Sequence, residues 1–291
     1  FAGTRMPAQR GGQIRYPGHV RQCRRSGQAQ PHAGRGGGQR RRRGAGADDQ
    51  QRIGGHRLPW REQGQPEQQR RGQRQRQQQR QARERRARRQ VAAVWRFFVR
   101  YLALAGVLSY ELRGFERLGR PGQLILANHP SLLDVLFMVG YVRDVNCVVK
   151  KDLQTNPVMI SPIKACAYIP NDESEALLEE VDAVLKGGQS LLIFPEGTRT
   201  GWDGQVRLHR GAVSLGLRSA AVITPVVIRM NPLNFKKGQP WYKIPKVKIC
   251  YQLSVGEDIH PQDWLAQKPL PIASRRLNQY LEDYFNRETH T

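Results

Sequence analysis

The chain has 291 residues with 48 Lys and Arg against 24 Asp and Glu, a net +24, but that charge is uneven. Residues 1–90 hold 24 arginines, no lysine and five acidic residues, a net +19, whereas the rest holds 24 basic against 19 acidic residues. The four cysteines, Cys23, Cys147, Cys166 and Cys250, show no zinc-site spacing and no secretory signal is visible, so a reducing cytoplasmic setting is expected.

In residues 1–90 only Phe1, Ile14, Val20, Ile53 and Leu58 supply Phe, Ile, Val or Leu, too little apolar area to offset the entropy of ordering the chain. We therefore expect a disordered Arg/Gln/Gly-rich tract. Its runs, Arg40–Arg43 and the stretch Gln68–Gln90, suit anionic lipid or RNA. Nucleic acid is disfavoured as a partner, because Phe1, Tyr16 and Trp60 are the only aromatics available for base stacking. Arg, Gln, Gly, Ala and Pro without lysine is also the composition of GC-rich coding sequence read outside its frame. Since the chain opens on Phe1, we expect much of the tract not to be native protein.

Residues 91–115 are expected to form an amphipathic membrane-surface helix. Val94–Tyr110 is apolar apart from Arg96 and Arg100, which lie four apart on one helical face. A spanning helix needs about 20 apolar residues, and the uncharged run from Tyr101 to Tyr110 is half that. Trp95, Phe98 and Leu102 would face lipid; a helix packed on the domain's own core fits the same periodicity.

Residues 116–291 alternate strand-like and helix-like segments, the pattern of one α/β domain with a mixed, mostly parallel sheet flanked by helices. Strands are expected at Gln123–Ala127, Asp144–Lys150, around Tyr168–Ile169, and at Ser190–Phe194, Ala221–Ile228 and Val247–Val255. Helices are expected at Pro130–Val142, with Pro130 in the first turn, at Glu173–Lys186, capped by Asp172 and stopped by Gly187-Gly188, at Leu208–Leu217 and at Ile272–Arg287.

Two motifs carry chemistry. Asn128-His129-Pro130-Ser131-Leu132-Leu133-Asp134 follows the first strand of this domain, where open α/β sheets place their ligands. Asp134, about one turn along, can hold one imidazole nitrogen of His129 and leave the other free as a base. No Gly-x-Ser-x-Gly elbow exists, so the nucleophile is expected to be a substrate hydroxyl, with general-base assistance worth about 10² to 10⁴ in rate. The second motif, Phe194-Pro195-Glu196-Gly197-Thr198-Arg199-Thr200, also ends a strand. Arg199 can grip a phosphate bidentately, Thr198 and backbone N–H groups add donors, Gly197 permits close backbone approach, and Glu196 suits a glycerol hydroxyl. A basic and aromatic cluster, Lys236, Lys237, Trp241, Tyr242, Lys243, Lys246 and Lys248, suits anionic headgroups.

Together the motifs resemble those of the 1-acylglycerol-3-phosphate (lysophospholipid) acyltransferase family, over residues 91–291. The resemblance implies an O-acyltransferase of phospholipid biosynthesis without a metal or resident cofactor, with a lysophospholipid acceptor and acyl-CoA or acyl-carrier protein as donor. It implies His129 as base, Asp134 as its partner, and Asn128, Glu196, Gly197, Thr198 and Arg199 around the acceptor. Lys150 or Lys151 matches the family's lysine after its second strand, Arg210-Gly211 its Arg-Gly pair, and Thr224-Pro225 its acyl-donor region. One position departs: Asn171 stands where the family often has an arginine for the acceptor phosphate, which makes another lysolipid, such as a lyso-aminolipid, a credible acceptor. A non-catalytic membrane or nucleic-acid binder using the basic tract is the alternative of a different class. The expected location is the cytoplasmic face of the inner (plasma) membrane.

Overall fold

The structure, a computed structural model, describes residues 67–290 except 158, 172–174, 237 and 240–244. The expected cap Asp172, the cluster members Lys237, Trp241, Tyr242 and Lys243, and the tract 1–66 lie outside the described residues.

Glycine and alternation set the first elements. Helix α1 runs Glu67–Leu104 and stops where Gly106 adopts φ 76°, a left-handed turn that suits glycine. Strand β1 (Leu108–Arg113) follows at once, with Leu108 buried and Glu111 and Arg113 exposed. Two expectations are corrected here. Residues 67–90 are helical rather than disordered, because Gln, Arg, Ala and Glu are good helix formers, reinforced by pairs four residues apart, Arg71–Glu67 at 2.6 Å and Arg80–Glu84 at 2.9 Å. The segment is also tied down: Arg88, 2% exposed, donates to Asp144 Oδ1 at 2.8 Å and to the Cys166 carbonyl at 2.9 Å. Nor is 91–115 one helix, since β1 occupies its second half.

The remaining elements are β2 (Gln123–Ala127), α2 (Asp134–Tyr141), β3 (Asn146–Lys150), α3 (Ile160–Cys166), β4 (Ile169–Asn171), α4 (Glu175–Lys186), β5 (Leu191–Ile193), α5 (Arg210–Ser219), β6 (Val222–Asn231), β7 (Ile249–Val255), α6 (Pro261–Leu265) and α7 (Leu270–His290). They build one seven-stranded sheet in the order β1-β7-β6-β2-β5-β3-β4. Strands β2 to β6 are mutually parallel, β7 is antiparallel to β6, and β1 is parallel to β7. This is the mostly parallel α/β architecture that the alternation implies.

Because strand side chains alternate faces, β2 splits two cores. Leu124 and Leu126 pack with Leu191, Ile193 and Ile223 beneath α4, α5 and α7. Ile125 and Ala127 pack with Phe137, Val226, Ile228 and Tyr251 beneath α1 and α2. Helix α1 approaches α2 closely at Gly140, whose missing Cβ would stand 3.4 Å from Trp95 Cβ and Arg96 N. The parallel strands deliver the ends of β2 and β5, adjacent in the sheet, to one edge, with both motifs just beyond them.

Candidate active site

Helix α2 opens at Asp134, not at Pro130. The expected first turn is instead a loop folded over the Asp134 carboxylate, because that acceptor satisfies donors the helix would leave unpaired. Oδ2 accepts Ser131 N–H at 2.7 Å, and Oδ1 accepts the Ser131 hydroxyl at 2.6 Å. His129 Nδ1 lies 2.9 Å from Asp134 Oδ2, and since a carboxylate only accepts, Nδ1 carries the hydrogen. Nε2 makes no hydrogen bond among the described residues. Asp134 is fully buried while the His129 side chain keeps 16% of its surface open, so an oriented imidazole faces outward. Its ring stacks on Phe194 at 4.4 Å.

The second motif grips the first through backbone. Glu196 Oε1 accepts His129 N–H at 2.7 Å and the Thr200 hydroxyl at 2.9 Å, while Thr200 N–H donates to the His129 carbonyl at 2.8 Å. Glu196 is 6% exposed, and burial pushes its carboxyl above the ordinary carboxylate value, against the opposing pull of its two donors. Glu196 thus clamps the His129 backbone through Oε1, a role the sequence does not announce, while Oε2 makes no hydrogen bond among the described residues. Gly197 has φ 64°, and an added Cβ would stand 3.1 Å from the His209 ring. What approaches Gly197 closely is therefore His209.

Asn128 is bonded from within as well. It is 1% exposed, and both ends of its amide bond β6, Nδ2 to the Ile228 carbonyl at 2.9 Å and Oδ1 from Ile228 N–H at 2.7 Å. It fastens the end of β2 to its neighbour, and its burial points to a structural part for this side chain. Thr224 and Pro225 are buried within β6. The Thr224 hydroxyl is held by Gln123 and Asp258, each at 2.7 Å, in the amino-terminal half of the strand and away from His129. Burial thus commits the Thr224 hydroxyl to contacts within the protein.

Arg199 remains available. Its Nη1 donates to the Phe235 and Lys236 carbonyls at 2.7 and 3.1 Å, leaving Nε and Nη2 without a hydrogen bond among the described residues. Thr198 is half-buried beside it. Lys236, expected in a surface cluster, is 1% exposed, and its Nζ donates to the Thr200 and Gly201 carbonyls at 3.1 and 2.9 Å. Burial lowers its ammonium below the usual lysine value. It pins the Arg199 loop instead of meeting headgroups; Lys246 and Lys248 are exposed. Lys150 and Lys151 are exposed at the end of β3, with Lys150 in register with Asn171, and Arg210 is exposed at the start of α5.

A cavity of about 550 Å³ is lined by Phe194, whose ring stacks on His129, and by Val148, Leu178, Val181, Ile193 and Leu215 among others, with Asn171, Gly197 and His209 also on its wall. Phe194 thus borders both His129 and an apolar chamber. Neither described buried cysteine competes as nucleophile: burial pushes the Cys147 thiol up to about 12 and raises that of Cys166.

A family model described as Acyltransferase matches residues 109–229. The chain is 28% identical over 193 residues to a 1-acyl-sn-glycerol-3-phosphate acyltransferase of Pseudomonas aeruginosa, covering 64% of this chain and 71% of that one. It is 28% identical over 174 residues to the Bacillus subtilis enzyme of the same name, covering 57% and 82%, and 25% identical over 172 residues to that of Limnanthes alba, covering 55% and 58%. The crystal structure of the 1-acyl-sn-glycerophosphate acyltransferase from Thermotoga maritima superposes with a TM-score of 0.55 at 20% identity, over 69% of this chain and 77% of that one, a likeness of fold.

Proposed function

Because the chain belongs to the 1-acylglycerol-3-phosphate acyltransferase family and is an O-acyltransferase, we propose that His129 is the general base that moves an acyl group onto a hydroxyl of a lysophosphatidate-like acceptor. One observation carries this reading: His129 Nδ1 is fixed at 2.9 Å from buried Asp134 while Nε2 faces outward. Nε2 takes the acceptor's hydroxyl proton as the oxygen attacks the thioester carbonyl of acyl-CoA or acyl-carrier protein. The C–S bond then breaks, and the departing thiolate takes the proton from the imidazolium, giving diacyl lipid and free thiol. The apolar chamber beside Phe194 suits an acyl chain, and the free edge of Arg199 suits a phosphate.

The test is transfer from a labelled acyl thioester to lysophosphatidate and to a lyso-aminolipid, the latter because Asn171 lies on the chamber wall. With lysophosphatidate, Arg199→Lys should raise KM about tenfold or more with little change in kcat, since a charge-assisted hydrogen bond contributes about 1.5–3 kcal/mol. An unchanged KM would remove Arg199 from the acceptor site.

We also place the enzyme on the cytoplasmic face of the inner membrane, held by α1. No helix among the described residues is long and apolar enough to cross a membrane. Val94, Phe97, Phe98, Tyr101 and Leu104 are 60, 72, 39, 57 and 88% exposed, at spacings that put them on one helical face. The expected lipid-facing set shifts accordingly, because Trp95 abuts Gly140 and Leu102 packs against the core. The helix also carries 12 arginines against two glutamates, each basic residue near an anionic surface contributing about 1 kcal/mol. Phe97→Asp with Leu104→Asp should reduce co-sedimentation with anionic vesicles at least tenfold, each lost apolar anchor being worth about 1.5–3 kcal/mol. Unchanged sedimentation would sink the membrane assignment.

A further inference from the structure

Behind the His129–Asp134 pair the hydrogen bonds continue into the sheet. Ser131 Oγ donates its single hydrogen to Asp134 Oδ1 at 2.6 Å, because an ionised carboxylate can only accept. The same oxygen lies 3.0 Å from Tyr251 OH and 3.2 Å from Leu133 N–H. With its hydrogen committed, Ser131 Oγ must accept from both, so Tyr251 is the donor at the head of a one-way chain: Tyr251, Ser131, Asp134, His129. Every member behind the histidine is sealed, with Tyr251 at 1% exposure and Ser131 and Asp134 at 0%.

Tyr251 lies on β7, on the inward face shared with Ile249 and Leu253. Its ring packs on Phe137 with centroids 4.9 Å apart. A phenylalanine would fill this core, and a buried hydroxyl costs free energy unless paired. Among the described residues its one hydrogen-bond partner is Ser131. Burial first, and the nearby Asp134 charge second, push the phenol above its ordinary value, so it stays a donor at working pH.

We propose that Tyr251 is a positioning residue for acyl transfer: through Ser131 it holds the Asp134 carboxylate at the angle that keeps His129 aimed at the acceptor hydroxyl. This rests on His129 being the base. Donors linked in series polarise one another, so the phenol strengthens the Ser131–Asp134 bond and narrows the carboxylate's freedom to rotate. Near-attack geometry is sensitive, a displacement of about 1 Å costing about 10² in rate.

The experiment compares Tyr251→Phe, Ser131→Ala and their double variant with wild type and His129→Ala, in acyl transfer to lysophosphatidate and in thermal unfolding. Tyr251→Phe keeps the ring and should lower kcat roughly tenfold with KM for both substrates unchanged. The double variant should be no slower than Ser131→Ala alone, because Tyr251 acts only through Ser131. A Tyr251→Phe enzyme with wild-type kcat overturns the proposal, as does a double variant whose losses multiply. If His129→Ala retains full activity, the reading of the base fails instead, and the two failures are told apart.

Discussion

Replacing His129 with alanine should lower kcat by about 10² to 10⁴, the usual worth of a positioned general base, while the protein folds and still binds its acceptor. The interactions that hold this loop belong to the backbone: His129 N–H to Glu196 at 2.7 Å and Thr200 N–H to the His129 carbonyl at 2.8 Å. Alanine keeps both. Asp134 loses one donor but keeps Ser131 N–H and the Ser131 hydroxyl, so its carboxylate is not stranded. The ring's stacking on Phe194 is lost at a site already open to solvent, a cost of about 1 kcal/mol. KM for the acceptor should move little, because the charge proposed to meet its phosphate is on Arg199, in a loop pinned separately by Lys236. Steady-state kinetics with a thermal midpoint check this, and wild-type kcat in a folded variant would end the role of His129.

The sequence made the centre of this site legible and its surroundings opaque, for one reason. His129 and Asp134 interact across a single loop, so spacing carries the information. Residues with distant partners show no such signal. Asn128 reads as part of a binding motif, yet its amide is consumed by Ile228, 100 residues away. Lys236 reads as a surface cation until the Thr200 and Gly201 carbonyls, 36 and 35 residues earlier, close around it. Tyr251 carries no local mark at all, being one of several inward positions on an alternating strand. Thr224 sits in a family-like segment, but strand register buries its hydroxyl against Gln123.

The fold divides the same way. Strands β2, β5 and β6 are apolar runs long enough to announce burial on both faces, so the parallel core could be anticipated. Helix α1 between 67 and 90 has almost no apolar periodicity, and what anchors it is a buried Arg88 reaching Asp144, 56 residues away. Composition argued for disorder there because composition counts apolar area, whereas this segment is held by charge and by helix propensity.

Asp134→Asn should be the second large loss, and a more discriminating one. The asparagine fits: with its carbonyl toward His129 Nδ1 and its amide toward Ser131 Oγ, the Ser131 hydroxyl can turn to donate to Tyr251 OH, 3.0 Å away. Shape, tautomer and hydrogen-bond number are preserved. What disappears is the negative charge facing the imidazolium that forms as the acceptor hydroxyl is deprotonated. Two unit charges about 4 Å apart at an effective dielectric near 20 interact by about 4 kcal/mol, which corresponds to about 10³ in kcat. Thermal stability should stay within about 1 kcal/mol of wild type. Asp134→Ala, by contrast, strands Ser131 N–H in a buried loop, at about 1–3 kcal/mol for the unpaired group, and leaves His129 Nδ1 without its partner, so it should lose stability and activity together. If Asp134→Asn keeps near wild-type kcat, Asp134 acts by geometry alone, and orientation of the histidine, not compensation of its charge, is what the pair contributes.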